Sequence, residues 1–345
     1  MSRFILMILL LLSVSGQAAP DAASLEAIRQ CRDFIRQTQL PDGAFRVSCT
    51  GDVVRIWPYF GNVAAGALIV AHRLEPQPED LVRVKRWLDW YAAHQRADGN
   101  IPDFLGTRRD YKPSPKRKAI DVYPPTYLSA LRIYREAQPE GLPAAELLKR
   151  AGQALHAIES ALDPADDLTW SSTPHLYKYP MDNVDVCIGL LDGARLFEAL
   201  GAREQAERCR ALVARISTAI AKFWLPEQGH FAWAQGQSPK VRTFEKPYPD
   251  GVANIYLALT IDPPPPKLWD NLRRQFGTAP RITPDLWLLA ARRCGTPEQV
   301  KDFTAAAIGR VKSGDLTLQT ASRLLLALAG DVAAPVVVPM KLGRK

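Results

Sequence analysis

The chain has 345 residues, 47% of them hydrophobic and 23% charged, with a formal net charge of +8. That composition excludes a disordered, collagen-like or low-complexity chain and leaves an ordinary globular protein. The basic residues are scattered over helix faces, which argues against a nucleic-acid partner. The one dense run, Arg108, Arg109, Lys112, Lys116, Arg117 and Lys118, lies in a Pro-containing loop, so an anionic glycan or the cell envelope is the expected acidic partner.

The first residues have the layout of a secretory signal: Arg3, an unbroken apolar run from Phe4 to Leu12, then small and polar residues to Ala19. The run is far short of the ~20 residues a membrane span needs, and no Cys follows it for lipid attachment. We expect cleavage after Ala18 or Ala19, a periplasmic or secreted protein, and no stable membrane insertion afterwards. About 325 residues then remain, large for one core but compatible with a cyclic architecture.

From Ser24 onward the chain reads as about twelve helices without sustained period-two alternation. The first closes on Gln39-Leu-Pro-Asp-Gly43-Ala-Phe45. The second opens with Trp57-Pro-Tyr59-Phe-Gly-Asn62 and is apolar nearly all round over Val63–Ala71. The third, Asp80–Gln95, is amphipathic, with Leu81, Val84, Leu88 and Tyr91 on one stripe, and closes on Gln95-Arg-Ala-Asp-Gly99-Asn-Ile101. The next inner start is Asp121-Val-Tyr123-Pro-Pro. Trp170, after Asp166 and Asp167, falls near the place where a unit of sixty-odd residues, the rough spacing of these turns, puts another turn. Asp182-Asn183-Val-Asp185 opens an apolar helix over Val184–Leu200. Arg203–Phe223 is amphipathic through Cys209, Leu212, Ile216 and Ile220, and Gly229-His-Phe231 follows it. Tyr248-Pro-Asp250-Gly precedes another inner helix. After the stiff spacer Pro263–Pro266 come Gly277, the start Thr283-Pro-Asp285-Leu-Trp287, Gly314, and the apolar Leu324–Ala329.

Helices that are apolar on every side are buried on every side, and they alternate here with amphipathic ones. The pattern predicts an all-α protein, an (α/α)6 toroid of six helical hairpins over residues 20–332, with 1–19 a signal peptide and 333–345 an extended tail. Glycine suits each closing turn because a helix C-terminus often ends at positive φ.

Five cysteines remain after cleavage: Cys31, Cys49, Cys187, Cys209 and Cys294. With no CxxC pair and no zinc-spaced histidines, neither a metal site nor a cofactor is expected. Cys187, Cys209 and Cys294 fall on apolar faces as buried thiols. Cys31 and Cys49 flank one helix end and are open to a disulfide or to two free thiols. His72 and His156 lie in helical patterns, while His175 and His230 lie in loops near the inner-helix starts. No HExxH, GxSxG or phosphate-binding loop is present.

A single Asp at a helix start is explained by capping of free N–H groups. The set says more, because a closed ring points the inner N-termini into one funnel. Asp121 and Asp250 are the expected opposed carboxylates, from separate inner helices that allow the ~6.5–9.5 Å separation of an inverting glycosidase. Asp182 and Asp185, one turn apart on one face, are expected to bind or orient the sugar. Trp57, Tyr59, Asn62, Asp103, Tyr123, Trp170, Tyr248, Asp285 and Trp287 complete the expected substrate-binding set, the aromatic rings stacking on sugars.

Three stretches carry a family resemblance. Ile56-Trp-Pro-Tyr-Phe-Gly-Asn62-Val-Ala-Ala is similar to the first inner-helix start of uncharacterised secreted six-hairpin glycosidases. Asp121-Val-Tyr-Pro-Pro-Thr-Tyr-Leu resembles their DSYxxTFL helix. Met181-Asp-Asn-Val-Asp185 and Tyr248-Pro-Asp250-Gly-Val-Ala resemble their DNxE and YPDxxAQ segments. The resemblance implies the (α/α)6 toroid and a carbohydrate-active protein. Val122 stands where the family has Ser, Asp185 where it has Glu, and the first inner helix lacks the acid of family-8-like endoglucanases.

The leading expectation is a glycoside hydrolase acting on an oligo- or polysaccharide. One alternative is a polysaccharide lyase on an anionic glycan, using Tyr123, Asn62, His175 and the Arg108–Lys118 loop. Another is a non-catalytic glycan-binding scaffold. The QxxxGx[FI]-type turn is also similar to that of terpene-cyclase toroids, the reading ranked last.

Overall fold

The computed structural model describes residues 20–174, 177–236, 240–277, 283–330 and 337–342. The signal segment 1–19, His175 and part of the tail lie outside the described residues. Among them, helices alternate between outer and inner positions. The hairpins are α1 (Ala22–Thr38) with α2 (Pro58–Leu74), α3 (Pro78–His94) with α4 (Tyr123–Ala137), and α5 (Ala144–Ala161) with α6 (Pro180–Ala199). They continue as α7 (Arg203–Ala221) with α8 (Val252–Thr260), α9 (Leu268–Phe276) with α10 (Pro284–Cys294), and α11 (Pro297–Lys312) with α12 (Leu318–Leu328). Each even helix packs on the next even one, and α12 packs back on α2, so the inner ring closes. This is the (α/α)6 toroid.

The burial pattern follows the sequence pattern. In α2 the run Ala64, Ala65, Ala67, Leu68, Ile69 and Val70 is buried, as are Val184, Val186, Cys187 and Leu190 in α6. In α3 only one stripe is buried, through Val84, Trp87, Leu88 and Tyr91, while Val82 is exposed. Inner helices approach closely where side chains are missing. A Cβ on Gly189 of α6 would stand 2.4 Å from Pro125 of α4.

The inner helices begin earlier than their apolar runs suggest. Proline opens the first turn of α2, α6 and α10 at Pro58, Pro180 and Pro284, with no side-chain cap at any of them. Its fixed φ and missing N–H suit that position, and a polar first turn is invisible to a count of apolar residues.

The repeated turn is real in geometry. Gly43, Gly99 and Gly229 have φ of 106°, 77° and 67°. The Gln39 and Gln95 amides each donate to the carbonyl of their own turn glycine at 3.0 Å. The missing member is Asp167, a non-glycine residue held at φ 62° with its carboxylate taken by Arg215 Nε at 3.1 Å. Asp tolerates that region better than most residues. Gly277 ends α9 without a left-handed turn, at φ −62°.

All five cysteines are free thiols: Cys31 is buried in α1 and Cys49 is half-buried in the loop beyond the first turn. Val338–Pro339, in the described part of the tail, pairs in parallel with Ile261–Asp262 at the end of α8. No helix of the described residues is long and apolar enough to cross a membrane.

The outer ring carries a buried ion network. Asp80 at the start of α3 is fully buried, and it accepts from Arg32 Nε at 2.9 Å and from Arg36 Nε at 2.8 Å, both on α1. Removing one partner of a buried charge cluster typically costs about 3–5 kcal/mol, because the others stay buried and unpaired. Asp80→Ala is therefore expected to lower the urea midpoint by that equivalent. A midpoint equal to wild type would show that α1 and α3 do not depend on this contact.

Candidate active site

All six inner helices contribute their N-terminal turns to one cavity of about 780 Å³. Trp57, Tyr59 and Phe60 come from the start of α2 and Tyr123 from α4. Asp182 and Asp185 come from α6, Tyr256 from α8, Leu286 from α10, and Gln319 and Arg323 from α12. Asp103, Lys118, Trp233 and Tyr248 close the mouth from the loops.

Seven of the expected residues line this cavity: Trp57, Tyr59, Asp103, Tyr123, Asp182, Asp185 and Tyr248. The others are placed elsewhere. Asn62 is buried beneath, accepting from Trp87 Nε1 at 3.0 Å and donating to the Tyr123 carbonyl at 3.1 Å, so it ties α2 to α3 and α4. Asp250 does not line the cavity. Its Oδ2 accepts the backbone N–H of Glu245 at 2.8 Å and of Lys246 at 3.3 Å, which fixes the kinked segment Pro247–Gly251 ahead of α8, where Tyr248 is extended. Trp170 packs over Lys178, whose Nζ is 4.1 Å from the ring centroid and pairs with Asp163 and Asp166. Trp287 is core, stacked on Phe303 at 5.5 Å. Asp285 is buried and does not line the cavity. Asp121 is fully buried and does not line the cavity, and no side chain hydrogen-bonds its carboxyl oxygens.

The structure adds Phe60, Tyr179, Trp233, Tyr256, Gln319 and Arg323 to the wall. Tyr179 stacks with Trp233 at 6.2 Å and with Tyr177 at 5.9 Å, a row of aromatic faces leading to the rim, where Tyr248 is 66% exposed. Of these only Arg323 had a signal in the sequence, a lone cation inside an apolar helix. Trp233 and Tyr179 belong to loops with no periodicity to read.

The carboxylates are not helix caps. Asp182 stands in the first turn of α6 without bonding a free backbone N–H, and its carboxyl is pushed up to about 8 by burial and by the neighbouring charge of Asp185. A helix N-terminus would act the other way, but it is worth only about 0.3–1 kcal/mol, under one unit of pKa. Burial wins. Asp185 is raised less, to about 6, because Tyr256 and Tyr59 donate to it and Arg323 attracts its charge, opposing the burial. Tyr59 Oη donates to Asp185 Oδ2 at 3.2 Å and Tyr256 Oη to Oδ1. Asp121 is held well above the carboxylate range, first by burial and then by Asp182. Burial likewise raises Asp103, against a hydrogen bond from Tyr123. Such an arrangement offers a proton donor and an ionised acceptor one turn apart. Among the described residues no group of three or more His, Cys, Asp or Glu side chains is placed to hold a metal ion.

No protein-family model matches the sequence, and no curated protein does. Solved structures do match by shape. An inactive variant of the α-1,6-mannanase from Salegentibacter sp. HEL1_6, bound to α-1,6-mannotriose, superimposes with a TM-score of 0.58 at 11% identity, covering 90% of this chain and 99% of that one. The mannosylglycerate hydrolase from Thermus thermophilus, in complex with glucose, gives 0.62 at 10% identity, with 88% and 99% covered. A rhamnosidase from Klebsiella oxytoca with rhamnose bound gives 0.61 at 16% identity, with 92% and 66% covered. The chain thus has the six-hairpin glycosidase fold, the (α/α)6 toroid.

Proposed function

We propose that this chain is an exported glycoside hydrolase that works from one wall of its funnel, with Asp182 as general acid and Asp185 as general base. The observation that carries the reading is the pair itself. Two carboxyl groups on one face of α6 line an aromatic cavity, and their surroundings hold one protonated and the other ionised between about pH 6 and 8. Asp182 donates its proton to the glycosidic oxygen as the bond to the anomeric carbon breaks. Water, lying over Asp185 on the opposite side of the anomeric carbon from the departing oxygen over Asp182, adds to that carbon as the bond breaks. Asp185 takes the water's proton, and return of this proton to Asp182 resets the site. Tyr59 and Tyr256 keep Asp185 oriented and ionised. Asp121, unable to ionise beside two other carboxyls, keeps the charge of the cluster low. The row Tyr177, Tyr179 and Trp233 offers stacking faces to sugar rings. The structural neighbours, solved with mannotriose, glucose or rhamnose, support a saccharide as the partner.

The lyase reading has less support. Its phenolic base would be Tyr123, but that hydroxyl donates to Asp103 and its pKa is raised by burial, so it resists ionising. Asn62 is occupied below the cavity, and His175 lies outside the described residues.

On a panel of neutral and acidic oligosaccharides, Asp182→Asn and Asp185→Asn are each expected to lower kcat by about 10²–10⁴. Wild-type kcat should follow a bell with limbs near pH 6 and 8. The acid limb reports protonation of Asp185 and the alkaline limb loss of the Asp182 proton. Folded Asp182→Asn and Asp185→Asn proteins with full turnover sink the assignment, and a product that absorbs in the ultraviolet favours the lyase instead.

Asp182 also predicts a stability change. Its folded pKa, about 8, lies above its unfolded value near 3.8, so the native state binds the extra proton across that window. Its contribution is full below pH 4 and is lost as pH rises through 8. Asp182→Asn should therefore gain stability over wild type at pH 8 but not at pH 4. After allowance for water in the funnel the gain is roughly 1–2 kcal/mol. Thermal melts at the two pH values check it, and an equal difference at both contradicts it.

Export is supported by the n/h/c layout of residues 1–19. Intact mass of the protein recovered outside the cytoplasm should correspond to a chain starting at Ala19 or Pro20. Unprocessed protein confined to the cytoplasm overturns that part.

A further inference from the structure

We infer that Arg323 recognises a carboxylate carried by the bound sugar, so that the preferred ligand is a sugar acid and not its neutral counterpart. The inference rests on the glycan reading of the cavity and names the substrate class within it.

Arg323 projects from the second turn of α12 into the cavity. Its guanidinium carbon is 6.0 Å from the Tyr59 ring centroid, and its Nη2 reaches the Tyr59 hydroxyl only at 3.5 Å. Among the described residues it makes no ion pair. Arg32 and Arg36 share Asp80, Arg150 holds Asp89 and Glu146, and Arg293 holds Asp262, while the buried Arg46 is satisfied by the Cys49 and Gly51 carbonyls. A guanidinium cannot shed its proton and presents five donors in a planar fork that matches a carboxylate. With one long contact and no ion pair, its charge is balanced only through space, by Asp185 and Asp285, and its fork is left free for a ligand carboxylate.

The acids nearby attract Arg323 through space without pairing with it. Asp185, which feels that attraction, accepts its hydrogen bonds from Tyr59 and Tyr256 instead. Asp285 is buried and attracted by the Arg323 charge but makes no ion pair with it. Asp182 and Asp121 are held toward their neutral forms. On the cavity side, Gln319 lies one turn before Arg323 on the same face of α12 and adds a neutral donor. Lys118 lines the mouth from the basic loop that also holds Arg108, Arg109, Lys112 and Lys116, a field that draws anions inward.

The experiment compares matched pairs of methyl glycosides: glucose with glucuronic acid, galactose with galacturonic acid, and mannose with mannuronic acid. Binding to the mature full chain is measured by calorimetry at pH 7, for wild type, Arg323→Gln and Arg323→Lys. Wild type is expected to bind one acidic member at least tenfold more tightly than its neutral partner. Arg323→Gln should bring the acidic-to-neutral affinity ratio measured within that variant close to one, whatever its affinity for the neutral member, and Arg323→Lys, with the charge but not the fork, should retain part of the preference. Equal binding of both members by wild type, or a preference that survives Arg323→Gln, overturns the inference and leaves the hydrolase reading intact. Binding of no sugar at all removes the glycan reading and this inference together.

Discussion

Closure of the inner ring, where α12 packs back on α2, is the constraint on which the rest of this molecule depends. Once the ring closes, the inner helices are buried on most sides, and polar residues along them need a partner, as Asp192 of α6 has in Arg132 of α4. The N-terminal ends all face one funnel. A helix start buried that way leaves unpaired N–H groups, and proline at Pro58, Pro180 and Pro284 reduces that cost by having no N–H to leave unpaired. The carboxylates near these starts are thereby released from capping. Asp21, Thr296 and Thr317 cap α1, α11 and α12 in the ordinary way. Asp182 caps nothing.

Freed from that role, the acids respond to burial and to each other. Three carboxyls, Asp121, Asp182 and Asp185, lie close enough to influence one another's titration in a space of low polarizability. They cannot all be charged. The division is decided by hydrogen bonds: Asp185 has two phenol donors and a nearby guanidinium, whereas no side chain donates to the Asp121 carboxyl. The same logic separates the outer ring, where Asp80 is fully buried yet has two arginines against it. One buried acid serves the fold because it is paired, and others serve the site because they are not.

The turns show how far chemistry can vary when geometry is kept. Gly43, Gly99 and Gly229 reach positive φ without strain from a side chain, and Asp167 reaches it with its carboxylate anchored by Arg215. Counting glycines therefore misses one turn in the series, although the neighbouring Asp166, Asp167 and Trp170 mark where it falls.

The sequence by itself determined the alternation of amphipathic and apolar helices, and hence the double ring, because burial on one side or on all sides leaves its own periodicity. It also showed that acids and aromatics gather at inner-helix starts. Only the tertiary structure decided which of them meet. Neighbouring residues in a helix point about 100° apart, so a start such as Met181-Asp-Asn-Val-Asp185 offers several directions, and the packing of the ring selects one. That rotation turns Asp182 and Asp185 into the funnel and Asn183 toward the Thr169 backbone. It buries Asp285 and Trp287, while the kinked segment before α8 spends Asp250 on its own backbone. Arg323 stood in the sequence as one cation in an apolar helix. Its meaning comes from helices α2, α6 and α8, which are far from it in the chain and reach it only when the ring is closed.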